Sequence, residues 1–119
     1  MAAEHIDTTT SRVIDYDEAM ERFCGNRALY ERLALKFLDD PHFEALENAL
    51  AEGHLDEAHR AAHSLKGVSG NLSFYDLFQA ACVISDSLRD GDAATAKEAM
   101  PRAREAYAAV MEAVKGLRG

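Results

Sequence analysis

His63 is the residue whose surroundings ask for a chemical explanation. It stands in the stretch Ala61-Ala62-His63-Ser64-Leu65-Lys66-Gly67-Val68-Ser69-Gly70-Asn71-Leu72. A helix turns by about 100° per residue. Leu55, Ala58, Ala62, Leu65, Ser69 and Leu72 then fall on one stripe, alternating steps of three and four. That stripe must point into a core. His63 lies well beyond a right angle from its centre and faces solvent. Asp56, Arg60 and Gly67 share the outer face, and Lys66 sits at its flank. A histidine so placed is not a satisfied core residue.

An exposed imidazole titrates near pH ~6.5, so near neutrality it is mostly uncharged and nucleophilic. Histidine is among the side chains that carry covalent intermediates. An ammonium one turn away, on Lys66, suits the negative oxygens of an arriving phosphoryl group. Phosphoryl transfer needs positioning and charge neutralisation more than covalent machinery, so few groups suffice. The glycines fit the same reading. Inside a helix each costs about 1 kcal/mol relative to alanine. Gly67 follows His63 by one turn on the same face, where a missing side chain lets another protein's backbone come close. Gly70 is open to a second explanation, that it ends the helix.

The elements that must position these residues are helical throughout. Tyr16, Ala19, Met20 and Phe23 follow the i, i+3, i+4, i+7 pattern of a short, lid-like helix, capped by Asp15 or Asp17 and stopped by Gly25. Asn26 caps the next, with Leu29, Tyr30, Leu33, Phe37 and Leu38 apolar. Asp39-Asp40-Pro41 either starts a new helix or kinks a continuous one. Phe43, Leu46, Ala49 and Leu50 carry the stripe on to Gly53. The segment bearing His63 spans about residues 55–72. Another spans about 74–89, with Phe74, Leu77, Ala81, Ile84 and Leu88 on one side. After the turn Asp90-Gly91-Asp92 the last runs to about Leu117, and Pro101 is expected to break or kink it. No segment alternates like a strand. The expectation is an all-α fold: an antiparallel up-and-down four-helix bundle with a short additional N-terminal helix. Residues 1–14 read as a flexible polar tail and 15–119 as the bundle domain.

Composition narrows the function. The chain has 119 residues, enough for one domain with a core. With 21 acidic and 13 basic side chains its net charge is −8, which repels nucleic acid overall. Cys24 and Cys82 form no paired spacing, so a reducing cytoplasm is the simpler setting. The first residues have no apolar signal core, and no run reaches the roughly 18 apolar residues of a membrane span. A soluble, cytoplasmic monomer is expected.

His63-Ser64-Leu65-Lys66-Gly67, with Leu72 beyond, resembles the H-x-L-K-G motif of histidine-containing phosphotransfer (HPt) domains. The resemblance extends over about residues 15–116 in helix order and turn placement. It implies that His63 is the phosphoacceptor, Lys66 its charge partner and Gly67 the clearance for a partner. His59, Arg60 and Gly70 would join the partner-binding face. It implies further that response-regulator receiver domains dock there, with a hybrid sensor histidine kinase a further candidate partner. The catalytic aspartates and Mg²⁺ would belong to the receiver, leaving this chain no cofactor. Its implied role is to shuttle a phosphoryl group between receiver aspartates in a multistep His–Asp phosphorelay. There is no Gly-rich nucleotide loop, so no autonomous kinase activity is expected.

Ser73 departs from the pattern, because the family usually has glycine ten residues after the histidine. Its hydroxyl is expected to cap the following helix. Gln79, Ser85 and Asp86 are candidates for a polar residue of that helix near His63. Two other readings compete. One is a receiver-docking bundle that is never phosphorylated. The other is a metal site on His59 and His63 at i, i+4, with His54 and Asp56 nearby, which lacks a placed third ligand.

Overall fold

In a computed structural model, residues 13–117 are described. Among the described residues six whole α-helices succeed one another, with a short 3₁₀ turn and no strand. Helix α1 is Tyr16–Arg22, α2 Arg27–Lys36, α3 His42–Glu52, α4 Leu55–Asn71, α5 Tyr75–Arg89 and α6 Ala93–Gly116; the 3₁₀ turn, Phe37–Asp39, follows α2. Of the expected tail, residues 1–12 lie outside the described residues. Its last residue, Ile14, is 1% exposed and belongs to the core, so the expected boundary at residue 14 falls too late.

Local signals account for where four of the helices start, while α4 and α5 begin without a side-chain cap. The carboxylate of Asp15 accepts from the Glu18 amide at 3.1 Å, and Asn26 Oδ1 accepts from the Leu29 amide at 3.0 Å. Asp92 does the same for Thr95 at 3.0 Å. Each satisfies one of the amides a helix start leaves unpaired. At Pro41 the chain begins a new helix. Asp40 is extended (φ −72°, ψ 127°), as expected for a residue before proline, and its carboxylate accepts from the His42 amide at 2.9 Å. Pro41 itself stands just ahead of the first helical residue rather than at it. Helix α3 stops at Gly53, whose φ of +78° suits a residue without Cβ.

Helices α3 to α6 form a helical bundle in which α4 packs on α3 and α5, and α5 on α6. The connections are short: Gly53-His54, then residues 72–74, then 90–92. Ala58, Ala62, Leu65, Ser69 and Leu72 are all buried, as the stripe requires, and so are Phe74, Leu77, Ala81, Ile84 and Leu88. Leu55 is the exception at 38% exposed; it opens α4 one turn before the first packed position, Ala58. Aromatic rings join the remaining elements. Phe37 meets Phe74 edge-on at 5.1 Å and Tyr107 at 5.9 Å, while Phe43 stacks on Tyr107 at 4.2 Å. Arg104 of α6 bonds Glu47 of α3 at 2.7 Å.

Of the break or kink expected at Pro101, the break does not occur: helix α6 runs on through it. Packing of Met100, Ala103 and Val110 into the core holds the helix together across the proline, which still removes one backbone donor. Pro101→Ala is therefore expected to raise stability by about 1–3 kcal/mol, read as a higher urea midpoint. An unchanged or lower midpoint would show that α6 gains from the proline.

Candidate functional site

Helix α4 carries the site. Ala58, Ala61, Ala62, Leu65 and Ser69 are its buried residues, which turns the opposite face outward. His63 and Gly67 are exposed on that face, as are Asp56 and Arg60. His59 is half-buried one turn before His63; the two rings are 6.3 Å apart between centroids, tilted by 37°. Among the described residues His63 has no hydrogen bond or ion pair, so its ring nitrogens are free for an incoming group.

Lys66 is half-buried at the edge between α4 and α5. Its position shows in the Cys82 thiol of α5: burial pushes that thiol's pKa up, Lys66 lowers it and Asp86 raises it. Lys66, Gly67, Gly70 and Gln79 line an open groove of about 480 Å³. Glu18 and Arg22 of α1 line it too. The three polar candidates of α5 thus separate. Gln79 is exposed and borders the groove. Ser85 is buried, and Asp86 pairs with Arg89 at 3.4 Å.

The two glycines of α4 have different reasons. A Cβ on Gly67 would meet nothing within 4 Å. Nothing inside the protein requires glycine there, although it lies mid-helix. A Cβ on Gly70 would stand 3.0 Å from Cε1 of Phe78. Its small size lets α5 approach α4, so internal packing explains it without a partner. Nor does it end the helix, which continues to Asn71.

Ser73 does not cap α5. The position before that helix is Phe74, with no side-chain cap. Ser73 is buried and sits in the left-handed region at φ +60°, a conformation that costs a residue with a Cβ about 1–2 kcal/mol. That backbone geometry is the reason glycine suits the position. The serine hydroxyl donates to Glu18 Oε1 at 2.9 Å and accepts from Arg22 Nη1 at 2.9 Å. Arg22 Nη1 also reaches the Gly70 carbonyl at 3.0 Å. The buried Tyr30 hydroxyl donates to the Leu72 carbonyl at 2.6 Å; burial raises its pKa far above the ordinary phenol value, with Tyr16 adding to the rise, so it stays protonated. Sequence reasoning missed Arg22 and Glu18, because 48 to 55 residues separate them from their partners and no spacing signals such a contact.

A family model described as the Hpt domain matches residues 39–114, well over half of the chain. The chain belongs to the Hpt domain family. Hpt domains are phosphocarriers rather than enzymes; they act by histidine phosphotransfer in two-component phosphorelays and interact with receiver domains of response regulators. No curated protein and no solved structure matches the chain. Helices α1 and α2 precede the matched span. Among the described residues no group of three or more His, Cys, Asp or Glu side chains could hold a metal ion, so His59 and His63 remain a pair. No helix among them is long and apolar enough to cross a membrane.

Gly67→Ala is expected to stabilise this Hpt domain by about 1 kcal/mol, the helix-propensity difference. Gly70→Ala should gain less or lose, because Phe78 must move. Urea unfolding of both variants checks this; equal gains would show that the Phe78 ring yields freely.

Proposed function

We propose that His63 accepts a phosphoryl group from the aspartyl phosphate of one receiver domain and returns it to an aspartate of another. The observation that carries the reading is the pairing of an exposed, unpartnered His63 with Gly67, one turn on, whose missing side chain serves nothing inside the fold. In the forward step the lone pair of one ring nitrogen attacks phosphorus and the aspartate O–P bond breaks. The electron pair leaves with the carboxylate, while the other ring nitrogen keeps its proton. Lys66 lies at the flank from which an ammonium can approach the phosphoryl oxygens and offset their charge. Arg60, exposed on the same face, extends that positive border, and His59 with Gln79 completes the polar rim.

Gly67 supplies the clearance that lets the receiver's backbone close on the imidazole. Mg²⁺ and the acidic groups that hold the donor phosphate belong to the receiver in this reading. The chain itself carries out no kinase step. Short links between helices adjacent in sequence support an antiparallel up-and-down order for the bundle, which presents α4 and α5 side by side to the partner. The free thiols Cys24 and Cys82 fit work in a reducing cytoplasm.

Incubation with a radiolabelled, aspartyl-phosphorylated receiver domain and Mg²⁺ tests the reading. Label should pass to the wild type but not to His63→Gln, and should be acid-labile and alkali-stable, with helicity equal by circular dichroism. Label retained by His63→Gln at the wild-type level would sink the assignment. A panel of receivers that bind without transfer would favour a docking-only bundle.

A further inference from the structure

We infer that Arg22 is a positioning residue for phosphotransfer, acting through Ser73 on the turn that joins α4 to α5. The inference rests on the phosphotransfer reading of His63. Its starting point is a local conflict. The turn after α4 requires a left-handed residue, and the chain places there a serine, with φ +60° and a buried side chain. A strained residue stays in such a conformation only where its surroundings hold it. Here the holding groups come from α1 and the residue that caps it, Asp15. Arg22 Nη1 bonds the Ser73 hydroxyl at 2.9 Å and the Gly70 carbonyl at 3.0 Å. Glu18 accepts from the same hydroxyl at 2.9 Å. The Asp15 amide donates to the Ser73 carbonyl at 2.8 Å.

These bonds act where the partner must sit. Gly70 is packed against Phe78, so the last turn of α4 sets how closely α5 lies beside it. That spacing fixes Lys66 and Gly67 on one wall of the groove and Gln79 on the other. Arg22 also adds a second donor to the Gly70 carbonyl, which accepts from the Ser73 amide at 3.2 Å. Removing the guanidinium leaves the Gly70 carbonyl with only its bond from the Ser73 amide at 3.2 Å, and leaves Ser73 strained and partly unheld. The groove then loses its shape, while His63, two turns back, keeps its chemistry. Helix α1 precedes the matched span 39–114, so this chain completes its docking face with residues the matched span does not contain.

The test is a double-mutant cycle read with two phosphodonors. An aspartyl-phosphorylated receiver must dock, whereas phosphoramidate only has to reach His63. In the latter reaction its P–N bond breaks, ammonia leaves and the new bond forms to the imidazole nitrogen. Arg22→Ala should slow uptake from the receiver by about tenfold, the scale of one lost charge-assisted hydrogen bond. The loss should appear as a raised KM for the receiver, with phosphoramidate uptake retained. In a Ser73→Gly background the same substitution should cost less than about threefold, because glycine needs no holding. Arg22→Lys, which keeps a cation and a donor, should recover part of the loss, and it replaces Arg22→Ala in the cycle if that variant does not fold. Equal losses in both backgrounds, equal losses with both donors, or no loss at all would overturn the role of Arg22. Failure of wild type to take His63-dependent label from either donor would instead overturn the reading on which it rests.

Discussion

The orientation of α4 is the constraint from which the rest of the site follows. Its buried face is made of small side chains and one leucine, Ala58, Ala61, Ala62, Leu65 and Ser69. Turning the helix far enough to bury His63 would expose Leu65, at a cost of about 2 kcal/mol, and would desolvate an imidazole with no partner waiting. The polar member of the stripe does not weaken it. The Ser69 hydroxyl donates to the Leu65 carbonyl at 2.7 Å, so its burial leaves nothing unsatisfied. Residues that never meet a partner thus decide which side of α4 a partner sees.

The end of α4 is handled by elements outside the four-helix core. Tyr30 of α2 bonds the Leu72 carbonyl and Arg22 of α1 bonds that of Gly70. Tyr16 and Phe23 hold Tyr30 between them, edge-on at 6.4 and 5.3 Å. The first two helices are therefore more than a lid on the bundle: Tyr30 gives the buried Leu72 carbonyl a donor, and Arg22 adds a second donor to the Gly70 carbonyl beside the Ser73 amide. Charge works at longer range. The chain carries −8 overall, yet Arg60 and Lys66 border His63 and Arg22 lines the adjoining groove. An acidic protein with a local basic border disfavours unspecific contact with phosphates while keeping one face open to them.

Much of this was legible in the sequence because it depends on period and local chemistry. The alternation of three and four from Ala58 to Leu72 placed α4 and turned His63 outward, and the caps at Asp15, one of two candidates, and Asn26 act within three residues of chain; Asp92 reads only as part of a turn, yet caps α6 in the same way. What stayed hidden depends on contacts between distant segments. Leu55 matches the period but has no neighbour to cover it. Pro101 carries a breaking signal that packing by Met100, Ala103 and Val110 overrides. Gly70 and Gly67 look alike in sequence, and only the position of Phe78 tells them apart. Ser73 reads as a capping residue by type, and its real partners lie on a helix some fifty residues earlier.

The contrast between Gly67 and Ser73 separates two kinds of local cost. At Ser73 a strained backbone is offset nearby: the hydroxyl that comes with the strain also supplies the bonds to Arg22 and Glu18. That cost is absorbed within the fold, so it bears on a partner only through the shape of the turn it holds. At Gly67 no such offset exists. The helix gives up about 1 kcal/mol there, and no side chain moves into the space. A loss that the protein's own packing does not recover points to something outside it. That unrecovered loss, one turn from a free imidazole, argues for a partner surface more directly than the exposure of His63 alone.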